Sequence, residues 1–139
     1  MTIQAVLAPL FVQVALTFFV MFGMAFHRGK ALTGRKVRPE DIALRQPNWP
    51  ERPTQFANAY LNQFELPVLF YVLTILVLFT RQADTFFVLM AWVFVTLRVA
   101  QAYVHVTSNY VPYRGMLFGA GALVLVAMWL AFLLRIYLL

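Results

Sequence analysis

Four apolar runs, each long enough to cross a bilayer, leave this chain very little freedom. They cover about Ile3 to Phe26, Phe56 to Phe79, Phe86 to His105 and Met116 to Leu139. A helix needs roughly 20 residues to cross about 30 Å of hydrocarbon, and every run reaches that length. None alternates with the period of two that a barrel strand requires, so the spans are predicted to be helices. The expected fold is an all-α, integral membrane four-helix bundle in one domain, residues 1–139, with no internal repeat. The first run lacks a basic segment ahead of it, is too long for a signal peptide and is followed by its positive charges, so it reads as the first span.

Charge decides the orientation and excludes one class of partner. The chain is 63% hydrophobic and 12% charged, far from the balance of a soluble domain. A net charge of +6 could suggest nucleic acid, but its distribution does not. Arg28, Lys30, Arg35, Lys36, Arg38, Arg45 and Arg52 all lie in the segment between the first two runs, against only Glu40, Asp41 and Glu51. The positive-inside rule places that segment, residues 27–55, in the cytoplasm, with both termini on the opposite side. Gly34, Pro39, Pro47, Pro50 and Pro53 argue against a long helix there. The other two connections, around Arg81 to Asp84 and Thr107 to Tyr113, are short. With no cysteine, the chain has no disulfide, thiolate metal site or cysteine nucleophile.

Polar residues inside the apolar runs are the candidates for chemistry. Asn58, Asn62 and Glu65 are spaced i, i+4, i+7, so they are expected to share one stripe of the second helix. Arg98, Gln101 and His105, at i, i+3, i+7, share a stripe of the third. Glu65 and Arg98 fall at similar depths, roughly 10–15 Å from the basic end by helical rise. Each costs about 2.5–3.5 kcal/mol at a helix centre if left facing lipid, so they are expected to pair, within one subunit or across an interface. Such a pair can be a clamp that fixes helix register or part of a functional site. Pro67 is expected to bend the second span, as membrane helices tolerate.

Other features point to packing. Gly115 and Gly119 form a GxxxG pattern that permits close helix approach. Gln13 and Thr17, one turn apart, suit interhelical hydrogen bonds. Trp49, Tyr110, Tyr113 and Tyr137 suit interfacial belts. His105 has no second histidine at ligand spacing, His27 lying in another element, so no metal site is expected.

Taken together, the spans, the basic segment after the first and the Asn62-x-x-Glu65 pair resemble the MAPEG family, the membrane-associated proteins in eicosanoid and glutathione metabolism. The stretches RVAQAYVHV and VPYRG add to the likeness, which extends over essentially the whole chain. The resemblance implies a homotrimer, in a bacterial inner membrane, with glutathione bound between neighbouring subunits near the cytoplasmic face. On that pattern Asn58, Asn62, Glu65, Arg98 and Gln101 belong to the glutathione site, and Arg114, suited to a carboxylate or a thiolate, is catalytic together with Tyr103 or His105 as a hydrogen-bonding partner. Asn58 stands where glutathione-active members carry an arginine, and Arg52 could reach in from the loop in its place. The family's third-helix tyrosine falls on Tyr103 in one register and on His105 in another. Three functions follow: a glutathione-dependent transferase or peroxidase acting on lipophilic substrates, a non-catalytic membrane subunit or scaffold, and a small proton-coupled transporter using Glu65.

Overall fold

The computed structural model describes residues 1–138, so the last residue of the expected fourth span, Leu139, lies outside the described residues. Among the described residues six helices follow in order: α1 (Ile3–Thr33), α2 (Pro39–Ile42), α3 (Glu51–Asn62), α4 (Leu66–Phe79), α5 (Thr85–Val106) and α6 (Val111–Leu138). No strand occurs among the described residues. Four units are long and apolar enough to cross a membrane: α1, the α3–α4 pair, α5 and α6.

Helices overrun the apolar runs at the basic end. The first helix continues to Thr33, seven residues past Phe26, because nothing in HRGKALT breaks a helix until Gly34 caps it. The helix α3 starts at Glu51 behind Pro50, and α6 starts at Val111, with Pro112 in the first turn where its missing N–H is not needed. The rest of the basic segment is irregular apart from α2, which Pro39 opens and the Asp41 carboxylate closes onto the Arg38 N–H at 3.2 Å. At the opposite end, Asp84 caps α5 by accepting the Phe87 N–H at 2.9 Å.

The second span departs from expectation. Pro67 does not bend one continuous helix; the chain breaks upstream of it, at residues 63–65. The N–H groups of Gln63, Phe64 and Glu65 turn back to the carbonyls of Tyr60, Leu61 and Asn62, each three residues earlier. Glu65 then caps α4 with φ −94° and ψ −102°, outside helical geometry. Pro67 thus lies in the first turn of a new helix, a position that suits it.

Packing is layered along the membrane normal. At the end away from the basic loop, Val6, Phe70, Leu73, Val77, Phe87, Ala91, Phe94, Val95, Leu125 and Met128 form one buried cluster. Its centre is the stacked pair Phe70 and Phe94, 4.9 Å between centroids. Toward the basic end, Val20, Phe56, Ala59, Ala102 and Val106 form a second. Gly23 permits the close approach of α1 and α3 there, since a β-carbon would overlap the Phe56 ring. Gly115 and Gly119 do no such work within the subunit; a β-carbon at either meets nothing within 4 Å. Between the two clusters lies a layer of buried amides and charge.

Candidate functional site

That polar layer assembles around the break in the second span. A helix end leaves its last carbonyls without partners, and in a bilayer no water is available to satisfy them. Two side chains, Gln63 and Arg98, add donors to these carbonyls. Gln63 folds back so that its Nε2 donates to the Ala59 carbonyl at 2.9 Å. Its Oε1 accepts from Gln13 Nε2 of α1 at 2.7 Å, and both glutamines are almost fully buried. Arg98, only 1% exposed, reaches across from α5 and donates from Nη2 to the Asn62 carbonyl at 2.8 Å.

The Asn62 carbonyl explains how an arginine tolerates this depth. The C-terminus of α3 carries roughly half a negative charge, spread over its last carbonyls, and a guanidinium placed there is stabilised. Arg98 Nη1 also donates to Gln101 Oε1 at 2.6 Å, one turn along α5. The predicted stripe of Arg98, Gln101 and His105 is therefore present, and all three residues are buried.

The expected Glu65–Arg98 ion pair is not made within the subunit. The ion pairs among the described residues are Arg38–Asp41 and Arg135–Asp84. The reason is the break: with three non-helical residues between Asn62 and Leu66, Glu65 leaves the stripe that Asn58 and Asn62 define. Its side chain is exposed on the outside of the subunit, and Arg98 takes the Asn62 carbonyl in place of a carboxylate.

His105 and Tyr103 separate in the same way. His105 faces inward at 3% exposure, its Nδ1 3.1 Å from Asn62 Nδ2. This contact ties the imidazole to the Asn62 side-chain amide, one ring nitrogen being engaged and the other left over. That other nitrogen, Nε2, is buried with no partner among the described residues. Tyr103, by contrast, is 68% exposed and points away from the bundle. Asn58 is exposed too, on the wall of a groove of about 530 Å³ between α3, the end of α1 and residues 42–49. Arg114 donates from Nη1 to Asn109 Oδ1 at 2.7 Å, fixing the α5–α6 turn. It and Arg98 are the charged neighbours of the His105 ring. Arg52 does not reach Asn58; it donates to Gln55 Oε1 at 3.1 Å and to the Val106 carbonyl.

The predicted residues therefore form two sets. Asn62, Arg98, Gln101 and His105 meet inside the subunit, with Arg114 beside them, whereas Asn58, Glu65 and Tyr103 face outward. Sequence reasoning noted Gln13 as an interhelical donor and missed its partner Gln63; an amide flanking the break was the available signal.

The MAPEG family model matches residues 6–134. The chain belongs to the MAPEG family. It is accordingly an integral membrane protein, with the four membrane-crossing units of that fold. No curated protein and no solved structure matches it. Within this MAPEG chain, the polar layer is the only place among the described residues where buried charge, a histidine and amides come together in the membrane.

Proposed function

We propose that this MAPEG protein binds glutathione between neighbouring copies, in a homotrimer, and uses it on lipophilic substrates as a transferase or peroxidase. The observation that carries this reading is Glu65: a carboxylate within a membrane-crossing unit, yet exposed on the outside of a single subunit. Facing lipid there costs about 2.5–3.5 kcal/mol, so the surface around it calls for a cover that is polar or cationic. Tyr103 is likewise exposed from α5. A neighbouring copy with a ligand between the two supplies that cover.

The residues fit glutathione by chemistry. Glutathione brings a thiol, an ammonium and two carboxylates. Glu65 suits the ammonium, and the Asn62 amide suits a peptide group. Arg114 suits a carboxylate, or favours the thiolate over the thiol by its charge. Tyr103, exposed on the outer face, suits a hydrogen bond to a reacting group, while His105 contacts Asn62 from within. Arg98 and Gln101 act behind Asn62, by fixing the carbonyl end of α3 on which it sits.

Asn58 favours a second reading, a non-catalytic subunit that keeps the fold, because an amide stands where glutathione-active members carry a cation. Isothermal titration of the purified assembly with glutathione separates the two. Saturable binding that Glu65→Gln weakens at least tenfold supports the enzyme reading. No heat of binding at millimolar glutathione leaves the scaffold.

A further inference from the structure

A second pocket, outside the polar layer, lies at the basic end between α1 and α3. It has a volume of about 420 Å³ and is lined by His27, Lys30 and Lys36 from α1 and just beyond it, with Arg52 of α3 opposite. Gly34, Pro50 and Pro53 shape its remaining walls. No carboxylate lines it, and none of the four basic side chains is in an ion pair among the described residues. Arg52 is held in place by neutral acceptors, the Gln55 side chain and the Val106 carbonyl, so its charge is left uncompensated. His27 is held by stacking on Phe56, 4.8 Å between centroids. Glu51, next to Arg52 in sequence, is exposed and does not contribute to the lining.

Depth identifies the ligand. The apolar run of α1 ends at Phe26, and the pocket begins with His27, the next residue. The cations therefore extend outward from the level where the hydrocarbon gives way to headgroups. Basic pockets between membrane helices on the cytoplasmic side hold anionic headgroups, and each lysine or arginine near such a surface strengthens the attraction. Pro53 contributes no N–H at this wall, so the charged side chains are the main donors to an anion here.

We propose that this pocket binds the phosphate of an anionic phospholipid, a site independent of glutathione. The test is native mass spectrometry of the full-length protein in detergent, with phosphatidylglycerol or phosphatidylcholine added. Retention of phosphatidylglycerol over phosphatidylcholine is expected, falling about fivefold for each lysine removed in Lys30→Gln/Lys36→Gln. A charge-matched control, Arg35→Gln/Arg45→Gln, removes two charges outside the pocket and should leave retention within twofold of the parent. Equal losses in both double variants would reduce the effect to general electrostatics and overturn the site. Release of the lipid by millimolar glycerol phosphate would overturn the lipid assignment in favour of a soluble phosphate. Both lysines are exposed, so neither variant should compromise folding.

Discussion

Replacing Arg98 by lysine tests how the broken span is held. The substitution keeps a buried cation, so the desolvation cost of the charge remains. What it removes is the planar fork that lets one side chain donate at once to the Asn62 carbonyl at 2.8 Å and to Gln101 Oε1 at 2.6 Å. A lysine ammonium, on a shorter reach, satisfies one of them. A hydrogen bond from a charged donor contributes about 1.5–3 kcal/mol, so Arg98→Lys should destabilise the fold by about 2 kcal/mol, a factor of roughly 30 in the unfolding equilibrium. Reversible unfolding in mixed micelles with increasing anionic detergent measures this. In a Gln101→Leu background, where the Asn62 carbonyl is the one acceptor left and a lysine can satisfy it, the same substitution should cost close to nothing. A cost below about 0.5 kcal/mol in the parent protein, the level of an inconsequential surface change, would mean that the guanidinium does not cap α3.

Three further outcomes follow from the same packing. Gln13→Leu leaves the Gln63 acceptor buried and unpaired and should cost about 1–3 kcal/mol by mixed-micelle unfolding, whereas replacing Thr17, whose hydroxyl bonds its own helix at Gln13, should cost less. Gly23→Ala pushes a β-carbon into the Phe56 ring and should cost about 1–3 kcal/mol, with Phe56→Leu recovering part of the loss when the two are combined. The Arg135 guanidinium beside Asp84 holds that carboxyl below the usual aspartate range, assisted by the Phe87 N–H. A depressed folded-state value means the contribution is present above the unfolded value of about 3.9 and is lost as pH falls through the folded one. The melting temperature should therefore drop as pH falls below about 4, and Asp84→Asn should reduce that drop.

How legible this molecule was depended on what each signal measures. Long apolar runs report transfer into hydrocarbon, and they located four units long and apolar enough to cross a membrane. They were blind to the helical extension over residues 27–33, because polarity ends a membrane span without ending a helix. The same blindness hid the break at residues 63–65. Hydropathy is indifferent to whether NQFELP is one helix or two, and Pro67 marked the right neighbourhood but suggested a bend. Once the break is missed, the periodic stripe misplaces Glu65 and creates an ion pair with Arg98 that the subunit does not make. The stripe on α5 has no such interruption, and Arg98, Gln101 and His105 face inward as spacing predicted. Periodicity also could not choose between Tyr103 and His105 as functional partners; two residues apart on a helix, they point to very different surroundings, one outward and one onto Asn62. Gly115 and Gly119 advertised close packing by pattern, whereas Gly23, with no pattern around it, provides it because Phe56 arrives from a helix distant in sequence.

The reading of this MAPEG chain as a glutathione protein stands or falls on where the ligand lies. The direct measurement is a density map of the membrane-extracted assembly at saturating glutathione. Density for the tripeptide between two copies, with its ammonium end at Glu65 and its thiol end toward Arg114, is the expected result. An assembly whose copies meet with Glu65 bonded only to protein, and with no tripeptide density near Asn62 or Arg114, would contradict it.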